Sequence, residues 1–118
     1  MKLEIPKVVK PIELSELAPE FGEARIWVWV NLTVKLLEEY NAMLRKELSD
    51  EQIKAWFAEV WSQGEEGTRW TVEEVAELIK NSLENDPVLW GWLTKRTGEL
   101  IREHQAKKKR ILIMEASH

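Results

Sequence analysis

Between Gly22 and Asn31 two apolar sets alternate along the chain, Ile26, Val28 and Val30 on one side and Trp27 and Trp29 on the other. A period of two in β-branched and aromatic residues predicts a strand over residues 23–30. Both of its faces are apolar, so it expects cover on both sides. Upstream, residues 1–10 read as an arm with a short extended stretch, Lys7-Val8-Val9-Lys10, stopped by Pro11. Pro11, Pro19 and Gly22 then punctuate a loop over residues 11–22.

From Asn31 onward the period changes to that of a helix. Val34, Leu37, Asn41, Leu44 and Leu48 recur at spacings of three and four, with Leu36, Tyr40 and Met43 broadening the stripe and Asn31 available as a cap. Ser49-Asp50-Glu51-Gln52 is a capping box, in which the Ser oxygen accepts from an orphan N–H and the Gln reaches back. The helix it opens carries Ile53, Trp56, Phe57, Val60 and Trp61 on one face and ends toward Gly64 and Gly67. Thr71-Val72-Glu73-Glu74 is a second capping box, opening a third helix with Val72, Val75, Ala76, Ile79 and Leu83 on its face. Asp86-Pro87, an N-cap residue followed by a first-turn proline, starts a fourth. Its inward set is Leu89, Trp90, Leu93, Thr97, Leu100 and Ile101, and Gly91 and Gly98 sit inside it, where they either weaken the helix or let another backbone approach closely.

The fold class expected is therefore α+β and predominantly α, a short N-terminal β element followed by about four helices. One domain spans residues 1–118: an arm (1–10), a loop and strand (11–31), a helical body (32–104) and a basic and apolar tail (105–118). Within that tail, Lys107-Lys108-Lys109-Arg110 leads into Ile111-Leu112-Ile113-Met114. Four consecutive apolar residues cannot all face the core of one helix. They form either a last strand beside residues 23–30 or a segment that awaits a partner.

Composition narrows the function classes. A chain of 118 residues with a hydrophobic fraction of 44% can bury a core. Cys is absent, which removes disulfides, thiolate zinc sites and a Cys nucleophile. No apolar run approaches the roughly 20 residues of a membrane span, and the N-terminus lacks the apolar stretch of a signal peptide, so a cytoplasmic protein is expected. The net charge of −4 hides an asymmetry. Residues 11–86 hold 17 acidic and 7 basic side chains, a balance of −10, whereas residues 87–118 hold 3 acidic and 7 basic, a balance of +4. Such a split suits an oppositely charged partner or head-to-tail contact between copies. Seven Trp in one small chain supply both core filling and interface anchors.

Catalytic chemistry finds little purchase. His104 and His118 are the only histidines, with no second ligand at metal spacing, and His104 reads as a solvated side chain at a charged helix end. Glu73, Glu74 and Glu77, and Glu65-Glu66 in the loop, are explained by helix starts and solvent. No glycine pattern cradles phosphate. No catalytic residue, metal or cofactor is expected. The tetrad Lys107–Arg110 could meet nucleic-acid phosphates or an acidic protein, or simply stabilise a helix C-terminus.

Two resemblances bear on function. Trp70-Thr71-Val72-Glu73-Glu74-Val75-Ala76-Glu77-Leu78-Ile79 resembles the first helix of a MerR-like helix-turn-helix unit. The chain departs from that pattern where Lys80 continues the helix, and where the next helix presents Val88, Leu89, Trp90 and Trp92 in place of polar base-reading residues. The other covers mainly residues 11–31. Pro-Ile-Glu-Leu-Ser-Glu-Leu-Ala-Pro-Glu-Phe-Gly, then Ile-Trp-Val-Trp-Val-Asn, then acidic helices with scattered Trp, resembles small tail assembly chaperones of siphophages and prophages. That resemblance implies a non-enzymatic assembly factor in the host cytoplasm that binds phage tail proteins and self-associates. Its expected partner-binding residues are Trp27, Trp29, Ile111, Leu112, Ile113 and Met114. The alternatives are a small DNA-binding regulator and an interaction protein of a mobile element.

Overall fold

The structure, a computed structural model, describes the backbone of residues 4–116 and the side chains of residues 4–110. Its elements run β1 (Val9–Glu13), β2 (Arg25–Trp29), α1 (Val34–Leu44), α2 (Asp50–Val60), β3 (Trp61–Ser62), α3 (Val72–Asn85) and α4 (Pro87–Ala116), with single 3-10 turns at Leu14–Glu16 and Pro19–Phe21. The fold is α+β and predominantly helical. The three strands form one antiparallel sheet in the order β1-β2-β3.

Pro11 does not stop the first strand. Val30 N–H donates to Val8 O and Leu14 N–H to Ala24 O, so the hydrogen-bonded pairs with β2 fall at even-numbered positions. Pro11, paired with Trp27, sits between them on an edge strand where its missing N–H would point away from the sheet. The strand therefore runs on to Glu13 through part of the expected loop. Gly22 closes the loop with φ at 59°, a conformation that favours glycine.

The inner sheet face carries Ile12, Ile26, Val28 and Trp61, all buried, and α4 lies across β1 and β2. Helix α2 packs on α3, α3 on α4, and α1 on α2. Both capping boxes are present, Ser49 with Gln52 and Thr71 with Glu74. Helix α1 is capped by Thr33, not Asn31. It ends in a Schellman arrangement in which Glu47 N–H bonds Ala42 O at 2.9 Å and Lys46 N–H bonds Met43 O at 3.0 Å. Lys46 takes the positive φ (60°) that this motif needs, so the helix stops short of Leu48 without a glycine.

Trp61 is the hinge of the core. It follows α2 directly, pairs with Val28 across β2, and is completely buried. Phe57, Trp70 and Trp90 surround it at centroid distances of 4.8, 5.3 and 6.0 Å. Its indole N–H donates to Thr97 Oγ1 at 3.1 Å, fastening the sheet to α4. Trp56 does the same between helices, donating to Leu36 O at 3.0 Å. The sequence places Trp61 on the stripe of α2; the structure places it in a strand that the helical pattern concealed.

Helix α4 outruns the body. Among the described side chains its last buried residues are Leu100 and Ile101, His104 is half-buried and Gln105 to Arg110 are exposed, yet the backbone stays helical to Ala116. The overhang from residue 105 to 116 is about 18 Å at 1.5 Å per residue. The radius of gyration, 15.7 Å, exceeds the roughly 13–14 Å of a compact chain of this length.

Candidate interaction surfaces

The outer face of the sheet carries Val9, Pro11, Trp27 and Trp29, all half-buried. Their position follows from the period of two, since Ile26, Val28 and Val30 take the core side. The expectation that this face needs cover is met in part by the chain itself. Lys7 places its ammonium 4.3 Å from the Trp29 ring centroid, a cation–π contact. Glu59, Glu66, Gly67 and Arg69 border the same shallow pocket beside Trp29. Trp27, by contrast, lies between Pro11 and Ser62 and does not join the core cluster.

Asn31 has a role its position in the sequence does not announce. Its Oδ1 accepts from Val8 N–H and from Trp29 Nε1–H, both at 2.7 Å, and its Nδ2 donates to Pro6 O at 2.8 Å. One amide thus binds the N-terminal segment to the end of β2. Replacing Asn31 with Ala should free residues 6–8 and expose Trp29, at a cost of about 1–3 kcal/mol for the orphaned donors. Faster deuterium uptake at Val8 with unchanged helical circular dichroism checks this.

The second surface is the overhang of α4. Lys107, Lys108, Lys109 and Arg110 are exposed on a helix with no tertiary cover. The backbone of Ile111, Leu112, Ile113 and Met114 continues the same helix, so this segment does not form a strand beside β2, whose second edge is occupied by β3. The side chains of these four residues lie outside the described residues. The structure therefore keeps Trp27 and Trp29 on one face but does not bring the tail onto it.

His104 departs from the expected solvated histidine. It is half-buried, and its Nε2 is shielded from solvent without a hydrogen-bond partner among the described residues. Burial, with the cations Lys108, Lys10 and Lys107 nearby, lowers its pKa below the ordinary 6.5. The folded state holds this imidazole neutral, whereas the unfolded chain protonates it near pH 6.5. Its contribution to stability is thus present above that pH and lost as pH falls through it toward the folded pKa. Denaturant titrations at pH 8 and pH 5 should show a smaller loss of stability on acidification in His104→Gln than in the wild type.

Glu74 accepts from Thr71 N–H at 3.0 Å and from Gln63 Nε2 at 2.9 Å, while Glu73 and Glu77 are exposed. Among the described residues no group of three or more His, Asp or Glu side chains is placed to hold a metal ion. Helices α3 and α4 are separated by Asp86 alone, where a helix-turn-helix unit has a turn of three or four residues. Among the described residues no helix is long and apolar enough to cross a membrane. Comparison with protein-family models, curated proteins and solved structures finds no match to this chain.

Proposed function

We propose that this protein is a non-enzymatic protein-interaction or assembly factor of the cytoplasm, and specifically a phage tail assembly chaperone that binds tail subunits and self-associates. The observation that carries the interaction reading is the overhang of α4. Helix α4 is exposed at every described side chain from Gln105 to Arg110 and has no packing there to stabilise it, and isolated segments of about 12–15 residues are marginal in water. A partner surface supplies what the body does not. The half-buried Trp27, outside the core cluster, offers an aromatic anchor on a second face. The tail-chaperone reading rests on the resemblance over residues 11–31.

Light scattering of the purified chain, alone and mixed with tail-tube or tape-measure subunits, tests both levels. A mass above the monomer, or co-elution with those subunits, supports association, and Trp27→Ser should lower it while helical circular dichroism survives. A wild type that stays monomeric at high concentration and passes the tail subunits unbound overturns the reading.

The exposure of Lys107–Arg110 favours one competing reading, a nucleic-acid binder. We expect no sequence-dependent duplex binding, because the body that carries α4 is acidic and α3 and α4 lack a helix-turn-helix turn. Fluorescence anisotropy at moderate salt checks this; sub-micromolar, sequence-dependent binding would promote the regulator reading.

A further inference from the structure

Between α1, α2 and α4 lies a cavity of about 420 Å³, within the range of small-molecule sites. Its wall is aromatic. Tyr40 stacks on Trp56 at 5.5 Å, and Phe57 stands edge-on to Trp56 at 4.9 Å and to Trp90 at 5.0 Å. The indole N–H of Trp56 is already committed to Leu36 O, and Trp56 and Phe57 are buried behind the half-buried Met43, Ile53 and Trp90, which offer a ligand the apolar surface.

The polar groups on the cavity lining that remain open are donors. Arg102 Nη1–H donates to the Tyr40 hydroxyl oxygen at 2.7 Å. Among the described residues the phenol proton and the other guanidinium N–H groups have no protein acceptor, and Lys95 adds an ammonium. The hydroxyls of Thr94 and Thr97 are committed to Gly91 O and Leu93 O. No carboxylate lines the space, since the neighbouring Glu99 and Glu103 pair with Arg96 at 3.6 and 3.9 Å. Two cations and a phenol at the mouth of an aromatic pocket call for an anionic acceptor on a flat apolar body.

Gly98 gives a second, independent sign. A Cβ at this buried position would run into the Tyr40 hydroxyl and approach Arg102 Nη1 at 3.0 Å. Glycine inside a helix costs stability relative to alanine. Here it leaves the room in which Tyr40 and Arg102 meet.

We propose that this cavity binds a small aromatic carboxylate, its ring against Ile53 and Trp90 and its carboxylate between Arg102, Lys95 and the Tyr40 hydroxyl. The site is separate from the α4 overhang and the outer sheet face, so its failure leaves the interaction reading untouched. Naphthalene-2-carboxylate is a suitable probe, followed by calorimetry and by the tryptophan indole N–H signals in 15N-edited NMR. Saturable binding is expected, with the largest shift at Trp90, and the uncharged 2-naphthamide should bind about tenfold more weakly. Lys95→Gln, at an exposed position, and Arg102→Gln, which also gives up the bond to Tyr40, should each weaken the acid about tenfold and leave the amide unchanged. Gly98→Ala should weaken the acid as well, by displacing Tyr40 from Arg102. The proposal is overturned if the acid does not bind at millimolar concentration, if acid and amide bind alike, if Arg102→Gln has no effect, or if octanoate binds as tightly as the naphthoate.

Discussion

Trp61→Ala is expected to destabilise the fold by about 3–5 kcal/mol, the range for emptying a buried aromatic site. A 118-residue domain has only about 6–18 kcal/mol to lose, so the thermal midpoint should fall by more than about 10 °C. The large value follows from what Trp61 touches: three aromatic rings, the sheet through Val28, and α4 through Thr97. The hydrogen bond can be isolated. Thr97→Val keeps the volume but leaves a buried indole N–H without its acceptor, which costs about 1–3 kcal/mol. In Trp61→Phe that donor is gone, so adding Thr97→Val to that variant should cost much less. A double-mutant cycle by urea denaturation reads the difference as a coupling energy. If Trp61→Ala costs under about 1 kcal/mol, the aromatic cluster is not the centre of the core.

What could be read from the sequence depended on how local each signal was. The capping residues Ser49 and Thr71 and the Asp86-Pro87 start mark the ends of α2, α3 and α4, because a cap is satisfied within three or four residues. The alternation in β2 correctly separates Ile26, Val28 and Val30 from Trp27 and Trp29 for the same reason. The face of α1 was not legible. Val34 and Leu44 fit the helical period yet are 72% and 59% exposed, while Leu36 and Tyr40 are buried. That choice is made by distant groups, the Trp56 indole on Leu36 O and the Arg102 guanidinium on the Tyr40 hydroxyl. Strand β3 escaped notice because Trp61 also satisfies the period of α2, and only pairing with β2 decides between the two. The same non-local packing assembles the α1–α2–α4 cavity. Its aromatic residues look in sequence like ordinary core stripes, and Arg102 like one more surface cation. Ile111–Met114 invited a strand reading from its apolar run. No glycine or proline lies between Glu99 and Ala116, however, and residues such as Ala, Lys, Arg, Leu and Met propagate a helix already under way.

Reversing the charge of Lys107, Lys108, Lys109 and Arg110 to Glu is expected to weaken association strongly, through its rate, while leaving the body folded. Each reversal changes the net charge by two, taking it from −4 to −12. The side chains are exposed and lie beyond Ile101, so core packing is not touched and the thermal midpoint should hold within a few degrees. Cations toward the C-terminal part of a helix also favour its dipole, and the same four positions changed to Gln separate the two effects. If charge steers the encounter, the Gln variant should associate more slowly than the wild type and the Glu variant more slowly still, with dissociation much less affected. Wild-type association should also weaken between 0.1 and 1 M salt, where the screening length falls from about 10 to 3 Å. Surface plasmon resonance against an immobilised second copy, or against a tail subunit that co-elutes with the chain, measures both rates. Should the Glu variant associate as fast and as tightly as the wild type, the basic run is only the solvated face of a helix. The contact would then have to be carried by apolar surface such as that around Trp27.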